Sequence, residues 1–291
     1  MEILVTGANG MIGRELCRQL VERGDRVTGV DNGWRNADIQ HLAHKTITCD
    51  LQDIDVDWDG FDQVYHLAAI NGTDNFYKYP HTVIENNIGC DLTVFKHVES
   101  RLIWTSTSEI VADDPTVPTP ETTDVTIKNI HNPRWSYRLS KMISENWLAS
   151  STLDHCVIRF FNVWSEHDAS GHFISDQIAK IDQDRFEIMN PSDTRSFCHV
   201  EDAVDAMIHV GDSEHQGVIN VGSNEEITIM NAAETLAQVM GKPRAFTIVR
   251  GHEGSTSRRC PDISKLLEIY PEFEPRTFEH MIKEKIADFK R

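Results

Sequence analysis

The chain has 291 residues, and its 46 acidic against 28 basic residues give a formal net charge of −18. That balance makes nucleic acid and anionic membrane poor partners, while the length suits one large domain or two modest ones with a sizeable core. Six scattered cysteines without a C-x-x-C pair point to reduced thiols in a cytoplasmic protein, not to a disulfide framework.

The first strand is Ile3-Leu4-Val5, and the turn Thr6-Gly7-Ala8-Asn9-Gly10-Met11-Ile12-Gly13 follows it and opens a helix. Three glycines let the backbone bend tightly and approach a pyrophosphate, whose charge sits at the positive end of the helix. The helix runs from Met11 to Arg23 with Ile12, Leu16 and Leu20 on one face, and Gly24 stops it. Arg26-Val27-Thr28-Gly29-Val30-Asp31 is a second strand ending in an acid. An acid there hydrogen-bonds both ribose hydroxyls of NAD and repels the extra phosphate of NADP.

Further strands are expected at Lys45–Cys49, Gln63–Leu67, Leu102–Thr105 and Cys156–Phe160, each followed by polar turn residues or a helical pattern. Such alternation implies an α/β fold, a doubly wound parallel sheet with right-handed crossovers. Ligands of such sheets bind beyond the carboxyl ends of the strands. Pro115, Pro118, Pro120 and Pro133 exclude a long helix from Asp113 to Trp135, and a loop of that length in a compact domain is usually functional or mobile. After about Phe161 the periodicity changes, with polar Ser165–His172 and a Gly-, Ser- and Arg-rich loop over Arg250–Pro261. Val200–Val210 has helical spacing, and Val218–Val221 is strand-like. The expected division is residues 1–164 with about 197–224 as a Rossmann domain, and about 165–196 with 225–291 as a smaller substrate domain. The strand at Ile3 leaves no room for a signal peptide, and no apolar run is long enough to span a bilayer. The 14 histidines show no paired zinc spacing, so no metal is expected.

The chemistry centres on Tyr137-Arg138-Leu139-Ser140-Lys141. Tyr137 and Lys141, four apart, share one helix face. An ammonium beside a phenol stabilises the phenolate, which can then take a proton from a sugar hydroxyl while hydride leaves the adjacent carbon. Lysine can also bind the nicotinamide ribose. Thr105-Ser106-Thr107-Ser108-Glu109 ends the fifth strand, where hydroxyls can hold the reacting hydroxyl.

These motifs resemble the extended short-chain dehydrogenase/reductase family, the NAD-dependent nucleotide-sugar epimerases, dehydratases and decarboxylases, over essentially the whole chain. The likeness rests on the glycine turn, Asp31, Asp50-Leu51, His66-Leu67-Ala68-Ala69, Asn86 with Gly89, and the Thr107, Tyr137 and Lys141 set. It extends through Arg159-Phe160-Phe161-Asn162, Arg195–Asp202 and Arg258–Lys265. It implies NAD contacts from Gly7, Gly10, Met11, Ile12, Gly13, Asp31, Asn32, Asp50, Leu51, Leu67, Ala68, Ala69, Asn86, Tyr137 and Lys141. It implies catalysis by Thr107, Tyr137, Lys141 and Glu109, and contacts from Ser108, Asn162, Arg195 and Arg259 to a nucleotide-diphosphate sugar. A homodimer pairing the helix near Pro80–Val98 with the one carrying Tyr137 is also implied.

Within the family, 4,6-dehydratases carry Thr-Asp-Glu, and Ser108 here replaces the Asp. Thr-Ser-Glu resembles UDP-glucuronate decarboxylases, where the Glu and an arginine of the late R-x-P-D element are essential. Many simple epimerases carry Ser-Ser-Glu. Ile110-Val111-Ala112 stands where the family has V-Y-G, and Ser165-Glu166 where it has glycine-proline. The leading expectation is a nucleotide-sugar 4-epimerase acting through transient oxidation at C4. The alternatives are a UDP-glucuronate (hexuronate) decarboxylase, a dehydratase and a non-catalytic dinucleotide-binding protein.

Overall fold

A computed structural model describes residues 1–34, 42–114, 116–127, 130–168, 171–250 and 256–289. Pro115 and residues 251–255 of the Arg250–Pro261 loop lie outside the described residues. The chain runs through β1 (Glu2–Thr6), α1 (Met11–Arg23), β2 (Arg26–Asp31), β3 (Lys45–Thr48), β4 (Gln63–His66), α2 (Thr73–Lys78), α3 (Pro80–His97), β5 (Arg101–Thr107), α4 (Trp135–Ala149) and β6 (His155–Phe160). It continues with β7 (Val163–Trp164), α5 (Phe173–Asp182), β8 (Glu187–Met189), β9 (Thr194–Arg195), β10 (Cys198–His199), α6 (Val200–Asp212) and β11 (Gly217–Val221). The last elements are β12 (Ile227–Thr228), α7 (Ile229–Val239), β13 (Thr247–Val249), α8 (Ser264–Ile269) and α9 (Phe278–Phe289).

Seven strands form one sheet in the order β11-β6-β5-β4-β1-β2-β3. The β1–β2, β2–β3, β1–β4 and β4–β5 pairs are parallel. The central strands β1, β4 and β5 are buried along nearly their whole length, as in parallel sheets covered on both faces, whereas the edge strand β3 is exposed or half-buried. Strand order reverses at β1, whose neighbours are β2 and β4, so a crevice opens past the carboxyl ends of β1 and β4. Thr6 is in register with His66 there.

The chain divides into two compact units. The first comprises Met1–Ile110, Ile127–Arg159 and Val204–Ile219. One of its cores packs Leu4, Val64, Val94, Phe95, Leu102, Trp104 and Leu148. Gly24 ends α1 in the left-handed conformation at φ 97°, and its N–H returns to Leu20 and Val21 carbonyls. The second unit comprises Val111–Thr126, Phe160–Ala203 and Asn220–Arg291. Its core gathers Ile174, Ile178, Ile188, Leu236, Met281 and Ile282. There the proline-rich segment is pinned, since Asn220 Nδ2 donates to Thr119 O at 2.9 Å and Thr119 N donates to Cys260 O at 2.9 Å. The elements extend or trim the expected ones by a residue or two, as ends fray. The segment after β4 holds the short helix α2, which periodicity did not show. None of the six cysteines is in a disulfide; five are buried and Cys49 is half-buried.

Candidate active site

The glycine turn lies against the exit of β4. Gly7 has φ +71°, and a Cβ on it would stand 2.7 Å from Ala68 N. A Cβ on Gly13 would stand 2.2 Å from Gly7 O. Only glycines allow this closure of strand, turn and helix. Met11 and Ile12 form the first turn of α1, behind Gly10 as its N-cap residue. Asp31 ends β2 with its carboxylate fixed, accepting from Asn9 N at 3.0 Å and Gly33 N at 2.9 Å. Asn32 Nδ2 donates to Asp50 at 2.9 Å, so these two predicted residues meet. Leu51 is buried beside them, and Leu67, Ala68 and Ala69 are half-buried just past β4.

The cradle fits a dinucleotide on two grounds. Its backbone leaves no room for side chains where a pyrophosphate approaches the helix N-terminus. Asn9 Oδ1 is also buried there without a hydrogen-bond partner, an acceptor open to a ligand hydroxyl or amide.

Tyr137 and Lys141 sit on the inner face of α4, in a buried stripe continued by Ser144 and Leu148. The Tyr137 ring stacks on Phe76 of α2, centroids 5.0 Å apart and planes 10° from parallel. Lys141 is only 2% exposed, which excludes a surface pair, and its Nζ lies 4.5 Å from the Trp104 ring centroid. Burial pushes the Lys141 ammonium below the ordinary lysine pKa, against an opposing pull from Asp91. Asn86 is half-buried on α3. Its neighbour Asn87 is fully buried, accepting from Ile70 N at 2.7 Å and donating to Ile70 O at 3.2 Å. Asn87 thereby braces the segment that leads into α2.

Thr107 is the last residue of β5, and its Oγ1 accepts from Glu109 N at 3.2 Å. Ser108 is buried, and the half-buried Glu109 carboxylate meets Arg134 NH2 at 3.3 Å. Asn87, Asp91 and Arg134 lie among the candidate site residues although the sequence motifs did not nominate them. An acid and an amide on the buried stripe of α3, with Val83 and Val94, were the available signal.

The second unit holds the remaining predicted residues. Asn162 has φ 39°, and its Nδ2 donates to Ser196 O at 2.9 Å. Ser196 N donates to Arg259 O at 3.0 Å, which sets the R-S-F and R-x-P-D segments side by side. Arg195 NH1 donates to Thr194 O at 2.6 Å. Arg259 is 8% exposed, whereas its neighbour Arg258 turns outward in a two-point pair with Glu226 at 2.8 and 2.7 Å. Among the described residues no cluster of three or more His, Cys, Asp or Glu is arranged to hold a metal, and no helix is long and apolar enough to cross a membrane.

A model of the NAD dependent epimerase/dehydratase family matches residues 3–222. The chain is 29% identical to UDP-glucuronic acid decarboxylase 3 of Arabidopsis thaliana, over 92% of this chain and 83% of the relative. It is 28% identical to UDP-N-acetyl-alpha-D-glucosaminuronate decarboxylase of Bacillus cytotoxicus, over 99% of this chain and 97% of the relative. Among solved structures it resembles the UDP-N-acetylglucosamine 4-epimerase from Methanobrevibacter ruminantium M1 in complex with UDP-N-acetylmuramic acid. That match has TM-score 0.86 and 25% identity, covering 99% of this chain and 98% of the other. The fold is also that of UDP-glucuronic acid 4-epimerase from Bacillus cereus in complex with NAD, at TM-score 0.83 and 22% identity over 100% and 99% of the chains. The chain is therefore an enzyme with NAD as its cofactor, and it belongs to the NAD-dependent epimerase/dehydratase family.

Proposed function

We propose that the enzyme decarboxylates a UDP-linked hexuronate after transient oxidation of the sugar at C4. The observation that carries this reading is Glu109, two residues past the Thr107 hydroxyl and held against Arg134. The decarboxylases among the relatives add weight to it over the 4-epimerase that the motifs alone favour.

Tyr137 takes the proton from the C4 hydroxyl, and the Thr107 hydroxyl holds the C4 oxygen. Lys141 supplies the positive field that favours the phenolate. When bound, NAD accepts the C4 hydride and later returns it. A C4 ketone stands β to the C6 carboxylate, so the C5–C6 bond can break, releasing carbon dioxide and leaving its electron pair on a C4–C5 enolate. The enolate then takes at C5 a proton that Glu109, which we assign to that side of the sugar, delivers and regains from solvent. Tyr137 finally returns its proton to the C4 oxygen. Arg195 and Arg259 are read as anion-binding residues, because guanidinium forks match phosphate and carboxylate oxygens.

The second reading is 4-epimerisation. It needs only Thr107, Tyr137 and Lys141, and the fold shared with 4-epimerases favours it. Mass spectrometry of products from UDP-glucuronate, UDP-N-acetylglucosaminuronate and UDP-glucose, each incubated with protein and NAD, tests both. Loss of carbon dioxide supports decarboxylation, and an isomer of unchanged mass overturns it in favour of epimerisation. We also infer a cytoplasmic homodimer paired through α3 and α4, supported by the exposed Ile143 and the free thiols. A monomeric mass by sedimentation at micromolar concentration would contradict the dimer.

A further inference from the structure

Asp91 is 1% exposed, in the middle of the buried stripe of α3. A carboxylate taken out of water is costly unless charge and hydrogen bonds answer it. Its Oδ1 accepts from Trp104 Nε1 at 2.9 Å and lies 2.9 Å from His66 Nε2. Its Oδ2 accepts from Ser144 Oγ at 2.6 Å. The indole and the hydroxyl are neutral donors. Burial pushes His66 below the usual imidazole pKa, with Asp91 opposing and Lys141 adding to the fall. The His66 approach is a 2.9 Å contact without hydrogen-bond geometry, and its Nδ1 faces the Thr6 hydroxyl at 2.6 Å.

The cation on the same indole is Lys141. Its Nζ sits over the face of the same indole whose N–H edge donates to Asp91. An anion drawing on the indole N–H enriches the ring face in electrons, and the face then holds the cation more strongly. Other groups near Lys141 do not supply a free negative charge. Burial pushes the Cys90 thiol up to about 12, which keeps it neutral. Glu145 is committed to Arg159, at 3.0 and 2.7 Å. Tyr137 lies one turn back on α4 and is the group to be served. Burial pushes the Asp91 carboxyl up, but Lys141, His66 and the Ser144 hydrogen bond bring it below the usual carboxylate range.

We propose that Asp91 is the buried counter-ion of Lys141, a positioning residue that keeps the ammonium charged and fixed on the Trp104 face, one helical turn from Tyr137. The catalytic consequence rests on Tyr137 and Lys141 being the proton-handling pair, whereas the charge coupling stands without it.

The test is carbon NMR on protein labelled at the lysine Cε, with the Lys141 signal assigned by its loss in Lys141→Arg. In the unmodified protein Lys141 remains protonated at pH 8. Asp91→Asn keeps the shape and removes the charge, and it lowers the Lys141 midpoint by at least about one pH unit, a tenfold loss of proton affinity. Ser144→Ala removes one hydrogen bond and keeps the charge, and it leaves the midpoint within about 0.3 unit. A midpoint unmoved by Asp91→Asn, or moved equally by Ser144→Ala, overturns the proposal. So does a neutral Lys141 at pH 8 in the unmodified protein, which decides the matter even if Asp91→Asn fails to fold. A protein that turns over no nucleotide sugar still gives these titrations, so failure of the functional reading is told apart from failure of this one.

Discussion

Two alanine substitutions in the glycine turn separate its structural role from its ligand role. A Cβ on Gly13 meets Gly7 O at 2.2 Å, Ala8 Cα at 2.9 Å and Gly7 C at 3.0 Å. All three are backbone atoms, so no side chain can swing aside. Ordinary van der Waals contact begins at 3.4 Å, so α1 and the turn must part by about 1.2 Å. Overpacking of that kind costs about 1–3 kcal/mol. In a protein of this size that is a fall in Tm of roughly 3 °C for about 2 kcal/mol. At Gly10 the same methyl finds Gly7 O at 3.2 Å, a shortfall of a few tenths of an ångström. The Gly10 backbone, at φ −67° and ψ 163°, also suits alanine. Gly10→Ala therefore costs about 1 kcal/mol or less in stability. Yet Gly10 stands at the N-terminus of α1, where a pyrophosphate must approach the backbone closely. Both variants should bind NAD at least about tenfold more weakly, about 1.4 kcal/mol, while only Gly13→Ala loses substantial stability. Thermal unfolding by circular dichroism and NAD titration by calorimetry read the two quantities separately. A Gly13→Ala protein that melts with the unmodified one refutes the packing argument. A Gly10→Ala protein with undiminished NAD affinity refutes the placement of the pyrophosphate.

Other expectations follow from the same geometry. Glu109→Gln should abolish decarboxylation while leaving NAD affinity within about threefold (0.7 kcal/mol); full carbon dioxide release from this variant would remove Glu109 from the mechanism. Tyr137→Phe should lower kcat by about 10²–10⁴, the usual contribution of a positioned base, and unchanged turnover would dismiss the proposed base. Asn87→Ala leaves the Ile70 N–H and C=O buried without their partner and should cost about 1–3 kcal/mol in urea unfolding; a neutral result would show that Asn87 does not brace the α2 segment. Burial holds His66 and His199 below their ordinary 6.5, against the opposing pull of Asp91 and Glu166. Below pH 6.5 the unfolded chain takes up these protons before the fold does. Stability should therefore fall with decreasing pH, by up to about 1.4 kcal/mol per unit for each histidine, until its folded pKa is reached. Urea midpoints that stay flat from pH 7 to 5.5 would contradict this.

What could be read in the chain before folding was what local rules govern. The Ile3–Val5 run, the glycines at 7, 10 and 13 and the acid at 31 sit within one βαβ unit, so spacing alone predicts their juxtaposition. Gly24 ends α1 for a reason confined to its own φ. The stacking of Phe76 on Tyr137 was hidden because its helix has six residues, too few to show a period, and Tyr137 lies 61 positions along the chain. Arg134 is three residues from Tyr137, but its meeting with Glu109 depends on where β5 ends. Asp91 is the most instructive case. Helical spacing from Val83 through Asn87 to Val94 marks position 91 as buried, so an acid there is a visible conflict between pattern and chemistry. The pattern does not say what resolves the conflict, because His66, Trp104, Lys141 and Ser144 come from three other elements. A charge on an apolar stripe thus announces a partner without naming it. On our proposal that partner is Lys141, one helical turn from Tyr137, so a residue that looks like a packing fault belongs to the electrostatics of the candidate site.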